Sequence, residues 1–207
     1  RDWYLSHFPL KLNLKVKRAI TGEATTFMYP FHVPRLVHEM MPEVKIVFLL
    51  RDPIDRAFSH YKHNLRRSGR ETLSFGQAIR QEHIRISAAL ERSMADEWYN
   101  DEDNRMYSYI ARGLYARQIK RWREFFSSEQ MLILESEKFY EDPQSILDCV
   151  TDFLGLERHK FNTSKQYNVG GYADGILEAD RRYLEDIFAD ENNALFTLIG
   201  KNFWQKK

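Results

Sequence analysis

The sequence predicts a single α/β domain over residues 1–207, a three-layer sandwich in which helices flank a largely parallel central sheet. Short apolar runs alternate with stretches of helical periodicity, which is the pattern of parallel strands connected by helices. The run VKIVFLL at 44–50 is apolar at nearly every position, which is typical of a strand buried on both faces. With 207 residues, of which 43% are hydrophobic, the chain can bury one sizeable core.

The elements of the first half follow from apolar spacing and from residues that start or stop helices. In chain order they are a short strand at 18–23, a helix at 33–41, the strand at 44–50, a helix from Pro53, a helix at 73–92 and a polar, acidic surface loop at 94–105. Pro42 bounds the strand at 44–50. Asp52 is a suitable N-cap and Pro53 a favourable first helical residue, so the helix after the strand should begin there.

The elements of the second half have clear helical periods. A helix is predicted from residue 115, because the side chains at i, i+4, i+7 and i+11 are Tyr115, Ile119, Trp122 and Phe126. Residues 131–134 form a further strand candidate. Asp142-Pro143 opens a helix that should close near Gly155, and residues 180–199 form the last predicted helix.

Composition limits the classes of partner. Lys and Arg (31) nearly balance Asp and Glu (30), and no basic block of the kind that binds nucleic acid is found. An anionic ligand must therefore be held by local positive groups. No residue cluster has metal-ligand spacing, no run is apolar enough for a membrane span, and one cysteine excludes an intramolecular disulfide. These features predict a soluble, cytoplasmic protein without a metal.

The strand at 44–50 ends on an arginine, which suggests an anion site. In open α/β sheets, ligands bind beyond the carboxyl ends of the strands, where the next helix begins. Arg51 lies at that end, and Ser59 lies about two helical turns later. A guanidinium and a hydroxyl in this arrangement suit a phosphate. From spacing alone, an ion pair between Arg51 and Asp55, with Ser59 as a solvated helix residue, explains the pattern equally well.

The segment RDPIDRAFSHY at 51–61 resembles the 3′-phosphate-binding motif of sulfotransferases that use 3′-phosphoadenosine 5′-phosphosulfate (PAPS). Further segments are similar to the same family in the same order. They are GEATTF at 22–27, YARQIKRW at 115–122, QMLIL at 130–134, Asp142-Pro143, FLGL at 153–156, NVGGY at 168–172 and LIGKNFW at 198–204. The likeness is greatest to the bacterial and glycosaminoglycan-modifying branch, and it implies a P-loop-like fold.

The resemblance also implies a donor, an acceptor and several site residues. Arg51 and Ser59 would hold the 3′-phosphate of PAPS, and a late loop would close over the nucleotide with Asn168, Gly170, Gly171 and Tyr172. No metal is implied. The acceptor would be a hydroxyl or an amine on a saccharide, a polyketide or a small alcohol. The glycine-rich loop that wraps the 5′-phosphosulfate in the family is not found in these residues, so we expect upstream sequence to supply it.

Sulfonyl transfer also needs a base that takes the proton of the acceptor. Glu23 is the first candidate, because it lies at the end of the strand predicted beside the cleft, and His32 and His63 are weaker ones. Each has an alternative role: Glu23 as a structural acid that caps a helix or pairs with an arginine, and the two histidines as hydrogen-bonded surface residues. Two rival functions remain open, a catalytically silent nucleotide- or glycan-binding module and a P-loop nucleotide kinase. The kinase would need GxxxxGK[ST], which the sequence lacks.

Overall fold

A computed structural model describes residues 4, 6–9, 19–26, 28–67, 69–96, 102–164 and 175–204. Within these ranges it contains, in chain order, α1 (Val33–Met40), β1 (Ile46–Leu50), α2 (Pro53–Arg67), α3 (Phe75–Ala95), α4 (Glu102–Tyr107), α5 (Tyr115–Arg123), β2 (Met131–Glu135), α6 (Ser136–Glu141), α7 (Pro143–Leu154) and α8 (Glu178–Ile199). Short 3₁₀ turns occupy Ala111–Gly113 and Ser128–Gln130. No helix in the described part of the chain has the length and apolar character needed to cross a membrane.

Most predicted elements are confirmed within a few residues, and two are wrong. The strand predicted at 18–23 does not form over residues 19–23, which have no regular secondary structure. The surface loop predicted at 94–105 is partly helical, because α3 continues to Ala95 and α4 packs against it. Glu102 and Asp103 lie in the first turn of α4, where negative side chains favour a helix start.

The sheet of the described residues consists of β1 and β2, which run parallel with Ile46 opposite Met131 and Leu50 opposite Glu135. Parallel neighbours require a crossover connection, which the helices α2 to α5 provide. Both strands therefore end at the same edge, and the turns after them, at Arg51 and at Ser136, lie side by side.

The strand β1 is covered on one face only by the described residues, so the prediction of burial on both faces is wrong. Phe48 and Leu50 are buried, whereas Val47 is 38% exposed and Leu49 is 50% exposed. The alternation of a strand places these two pairs on opposite faces. The exposed pair lines a cavity, which is described below.

Two apolar cores hold the helices around this sheet. The first contains Phe48 and Leu50 together with the buried side of α5, and includes Tyr115, Ala116, Ile119, Trp122, Phe126, Met131, Leu195 and Phe203. The second joins α2 to α3 and includes Ile54, Ala57, Phe58, Tyr61, Phe75, Ala78, Ile79, Tyr109, Leu184 and Phe188. Helix α8 contributes Leu195 to the first core and Leu184 and Phe188 to the second. Because it packs in both cores, α8 fixes the position of α2 relative to the sheet.

The turn at Ala111–Gly113 packs directly against α8 and the start of α2. A Cβ atom at Gly113 would lie 2.9 Å from the ring of Phe188, which is closer than real Cβ atoms approach, and 3.0 Å from the Cβ of Pro53, which is tighter than most Cβ contacts. Only glycine allows this contact. The turn therefore presents the neighbouring Arg112 beside α2.

Candidate functional site

The turn between β1 and α2 is held from two sides by hydrogen bonds. The hydroxyl of Tyr115 donates to the carbonyl oxygen of Arg51 (3.0 Å), and the backbone N–H of Asp52 donates to Oε1 of Glu137 (3.0 Å). Glu137 also accepts from the indole N–H of Trp204 (3.1 Å). The turn is thereby tied to α5, to α6 and to the end of the described chain.

Asp52 caps α2, as the sequence predicts. Its Oδ1 accepts from the backbone N–H groups of Ile54 (2.9 Å) and Asp55 (3.1 Å). Burial raises the pKa of Asp52 above its ordinary value, while these hydrogen bonds partly offset that effect. Because protein carboxylates already occupy the first amides of α2, an anion at this edge must be bound mainly by side chains.

The side chain of Arg51 lies on the wall of the cavity rather than in an ion pair with Asp55. Asp55 instead pairs with Arg181 on α8 (3.5 Å). No hydrogen bond or ion pair joins the Arg51 guanidinium to another described side chain, so it is available to an anion. Ser59 is half-buried on α2, two turns beyond the capped end.

The cavity beside this turn has a volume of about 1170 Å³. Its walls come from the exposed face of β1, the loop residues 25–26 and 28–30, the polar side of α2 and the segment 102–118. The lining residues include Thr25, Thr26, Tyr29, Val47, Leu49, Arg51, Arg56, His60, His63, Asn64, Arg70, Arg105, Arg112 and Tyr115. Apolar strand side chains and several cations therefore surround one space.

The polar side of α2 meets the turn at Ala111–Gly113 in a cluster of cations. Arg56 and Arg112 both have a lowered pKa, that of Arg112 to about 10, because burial disfavours their charge. Burial, with Arg56 and Arg112 nearby, also lowers the pKa of His60 to about 3, so its ring is neutral at pH 7. A negative ligand would relieve this concentration of positive charge.

Glu82 of α3 lies behind these cations and is 3% exposed. Its carboxylate accepts from the backbone N–H groups of Ile110 (2.5 Å) and Ala111 (2.8 Å), which fixes the turn that bears Arg112. Burial raises the pKa of Glu82 to about 7, although the two amides and the charge of Arg56 act in the opposite direction.

The predicted base candidates differ in their surroundings, and of the three only His63 lines the cavity itself. Glu23 is exposed and interacts with the hydroxyl of Tyr4; burial and this hydrogen bond raise the pKa of Tyr4 to about 12. Two residues later, Thr25 and Thr26 line the cavity. His32 lies at the N-cap of α1, where its Nε2 is 3.1 Å from the carbonyl oxygen of Met94, and it is not among the residues that line the cavity.

The late loop predicted to close over the nucleotide lies outside the described residues. This applies to Asn168, Gly170, Gly171 and Tyr172. Their proposed role stays a prediction.

The sequence analysis did not identify Arg56 and Arg112 as site residues. Arg56 could have been found, since it lies three positions before Ser59 and thus on the same side of α2. Arg112 could not have been found in this way. The packing of Gly113 and the hydrogen bonds of Glu82 place Arg112 at the cavity, and neither of these contacts leaves a recognisable pattern in the sequence around Arg112.

Comparison with known proteins identifies the family of this site. A family model described as a sulfotransferase domain matches residues 8–168, which include the turn at Arg51, helix α2 and both strands. The chain belongs to the sulfotransferase family.

A solved structure supports the fold of this sulfotransferase domain. The chain superposes on a sulfotransferase from Alicyclobacillus acidocaldarius with a TM-score of 0.67 and 26% identity, over 93% of this chain and 72% of that one. The P-loop-like α/β fold implied by the resemblance is thereby confirmed.

Curated relatives of this sulfotransferase domain are much longer proteins. A bifunctional heparan sulfate N-deacetylase/N-sulfotransferase 1 from Caenorhabditis elegans is 24% identical over 97% of this chain and 24% of its own length. The membrane-associated sulfotransferase kil1 from Dictyostelium discoideum is 24% identical over 99% of this chain and 57% of its own length. The chain thus spans about a quarter of the first of these relatives and just over half of the second.

Glu82 should make the stability of the domain depend on pH. Its pKa is raised from 4.5 to about 7 in the folded protein, so the folded state binds this proton more tightly than the unfolded chain. The stabilisation is complete below pH 4.5 and is lost as the pH rises through 7. The free energy of unfolding of the parent, relative to that of Glu82→Gln, should fall by about 3 kcal/mol between pH 4.5 and 8. Urea unfolding of both proteins between pH 4.5 and 8 measures this change. A difference in unfolding free energy between the two proteins that stays the same at every pH would contradict the raised pKa of Glu82.

Proposed function

We propose that this domain transfers the sulfonate group of PAPS to a hydroxyl or amine of a saccharide acceptor. The observation that supports this proposal best is the guanidinium of Arg51, which lies at the end of β1 without an ion-pair partner in the described part of the chain, within the segment matched by the sulfotransferase family. An arginine at the carboxyl end of a parallel strand, beside the start of the next helix, is well placed to bind an anion.

The 3′-phosphate of the nucleotide would be held at the turn after β1. Arg51 supplies a planar pair of N–H donors, and Ser59 supplies a neutral hydroxyl from the same helix. The turn itself cannot shift freely, because Tyr115 and Glu137 hold its backbone. The site is therefore preorganised for a group with the geometry of a phosphate.

The acceptor would enter from the side of the loop residues 25–26 and 28–30. In the transfer step the acceptor oxygen or nitrogen forms a bond to the sulfur of PAPS while the bond from sulfur to the 5′-phosphate oxygen breaks. The leaving group is 3′-phosphoadenosine 5′-phosphate (PAP), and the proton of the acceptor passes to a base. Glu23 is the proposed base, since it is exposed two residues before the cavity wall begins at Thr25.

A saccharide acceptor is favoured over the other acceptor classes by two observations. The two curated relatives and the solved structure described above are all named as sulfotransferases, and the first relative is named for heparan sulfate. The cavity also combines the aromatic ring of Tyr29 with polar side chains such as His63 and Asn64, a mixture that suits a sugar with its apolar face and hydroxyl groups. No observation favours a nucleotide kinase or a silent binding module.

Arg51 should be required for nucleotide affinity. Removal of a charge-assisted bidentate contact costs about 1.5–3 kcal/mol, so Arg51→Ala should bind PAP about 10- to 100-fold more weakly than the parent. Isothermal titration calorimetry measures the change. Arg158→Ala is a matched control, because Arg158 is 65% exposed and its ion pair with Asp152 lies outside the cavity. If Arg51→Ala binds PAP as tightly as this control, the assignment of the 3′-phosphate site is wrong.

Glu23 should act on the acceptor and not on the nucleotide. Glu23→Gln keeps the shape of the side chain and removes its basicity, so kcat should fall on the order of 10²- to 10⁴-fold while PAP affinity stays within about twofold. Transfer of labelled sulfonate from PAPS measures kcat in the full-length protein. Glu39→Gln serves as a control, since Glu39 is an exposed glutamate paired with Arg35 on α1. A folded Glu23→Gln protein that keeps most of its turnover would move the role to His32 or His63.

A further inference from the structure

The last described residue, Trp204, contacts both side chains that hold the turn between β1 and α2. Its indole N–H donates to Oε2 of Glu137 (3.1 Å), and Oε1 of the same carboxylate accepts from the backbone N–H of Asp52 (3.0 Å). Its ring also packs against the ring of Tyr115, with 6.0 Å between the centroids, and the hydroxyl of Tyr115 donates to the carbonyl oxygen of Arg51 (3.0 Å). One residue therefore supports both anchors of the peptide between Arg51 and Asp52.

The backbone of Trp204 is held at the end of β2 in a conformation that a bulky side chain disfavours. Its φ is 56°, and among the residues that the structure describes it is the only one other than glycine with a positive φ. Its N–H donates to Oε1 of Glu135 (2.8 Å), the last residue of β2. A strained conformation of this kind persists only where the surrounding structure imposes it. Two glutamates, Glu135 and Glu137, thus bind the backbone N–H and the indole N–H of the same residue.

The ring of Trp204 has little freedom to turn away from Glu137. It packs against Phe196 of α8, with 5.7 Å between the ring centroids, and against its neighbour Phe203, with 5.6 Å. Phe203 is buried in the first core, and Phe196 packs against that core. Because α8 also contributes to the second core, which contains α2, the indole is fixed to the same framework as the helix that follows the turn.

Glu137 depends on the indole for its orientation. Its Oε2 accepts from the indole N–H and from Oγ of Ser136 (3.2 Å), which leaves Oε1 for the N–H of Asp52. A glutamate loses rotamer freedom when it is held in one orientation. A hydrogen bond to a carboxylate oxygen is stronger than one between neutral groups, so the indole N–H offsets part of that loss. Without the indole N–H, the carboxylate would turn toward water more often and Asp52 would lose its acceptor for part of the time.

We propose that Trp204 is a positioning residue for the 3′-phosphate site. It orients Glu137 and supports the ring of Tyr115, and these two side chains fix the backbone from which Arg51 reaches the phosphate. The proposal rests on the proposed function, in which Arg51 binds the 3′-phosphate of the nucleotide. Trp204 is not among the residues that line the cavity, so its effect on the nucleotide passes through the turn.

The test compares PAP with adenosine 5′-monophosphate (AMP), because the two nucleotides differ only in the 3′-phosphate. Trp204→Phe keeps an aromatic ring in the core and removes the indole N–H. Its affinity for PAP should fall about 3- to 10-fold, because the phosphate then has to order the turn, while its affinity for AMP should change by less than about twofold. Calorimetric titration measures both. An unchanged affinity for PAP, or an equal loss for the two nucleotides, would overturn the proposal.

Trp122→Phe is a matched control. The indole N–H of Trp122 donates over the same distance (3.1 Å), but to the carbonyl oxygen of Met28, and its ring is buried in the same core. The control should keep the ratio of the PAP and AMP affinities within about twofold of the parent ratio. If Trp122→Phe lowers this ratio as much as Trp204→Phe does, the effect does not pass through the turn and the proposal is wrong.

Hydrogen exchange of single amides tests the turn without a nucleotide. The amide of Asp52 should exchange at least about threefold faster in Trp204→Phe than in the parent. The amide of Arg117 also donates to a glutamate, Oε1 of Glu191 (2.9 Å), and should exchange at the same rate in both proteins. An Asp52 amide that exchanges no faster in the variant would show that the indole does not support the turn.

A second variant tests the same contacts if Trp204→Phe does not fold. Glu137→Gln leaves one carbonyl oxygen in place of two carboxylate oxygens, so either Asp52 or Trp204 loses its acceptor, and PAP affinity should again fall more than AMP affinity. Where both variants fold, the double variant should bind PAP no more weakly than Glu137→Gln alone, because both changes act through one carboxylate. Additive losses would overturn the proposed chain of contacts.

Failure of the proposed function has a different signature. A parent that binds PAP and AMP equally would refute the 3′-phosphate site, and with it the role of Trp204 in phosphate recognition. Faster exchange of the Asp52 amide in Trp204→Phe would then still show that Trp204 supports the turn. A parent that prefers PAP, together with a Trp204→Phe variant that keeps the full preference, would retain the proposed function and overturn only the positioning role.

Discussion

The pair of hydrogen bonds that holds the turn after β1 is the constraint on which the rest of the site depends. Tyr115 binds the carbonyl oxygen of Arg51, and Glu137 binds the N–H of Asp52, so the backbone on both sides of that peptide is fixed. A long arginine loses much side-chain entropy when it is ordered. A fixed backbone reduces the further ordering that a bound phosphate has to impose, which is how a fold contributes to affinity without a direct contact.

The positive charge that would bind an anion in this protein comes from a few neighbouring arginines and not from the net charge of the whole surface. The formal net charge is only +1, yet Arg51, Arg56 and Arg112 line one cavity. Burial lowers the pKa of Arg56 and Arg112, because a guanidinium with less contact to water is less favoured in its charged form. Shifted pKa values of this kind are common at functional sites.

The parts of the site that depend on local chemistry were predictable from the sequence, and those that depend on distant packing were not. The cap at Asp52, the start of α2 at Pro53 and the position of Arg51 follow from neighbouring residues. The uniformly apolar run of β1 did not reveal that Val47 and Leu49 face a cavity, because periodicity is lost when every position is apolar. The strand expected at 18–23 likewise needed a pairing partner that no local pattern specifies, and Arg112 reaches the site only through contacts of Gly113 and Glu82 with other helices.

The central claim is that the turn at Arg51 recognises a 3′-phosphate. The most direct test is the affinity of the parent protein for PAP compared with adenosine 5′-monophosphate, which differs from it only in lacking that phosphate. The account predicts that PAP binds about 10- to 100-fold more tightly, as expected for a charge-assisted bidentate contact. Equal affinities for the two nucleotides would contradict it.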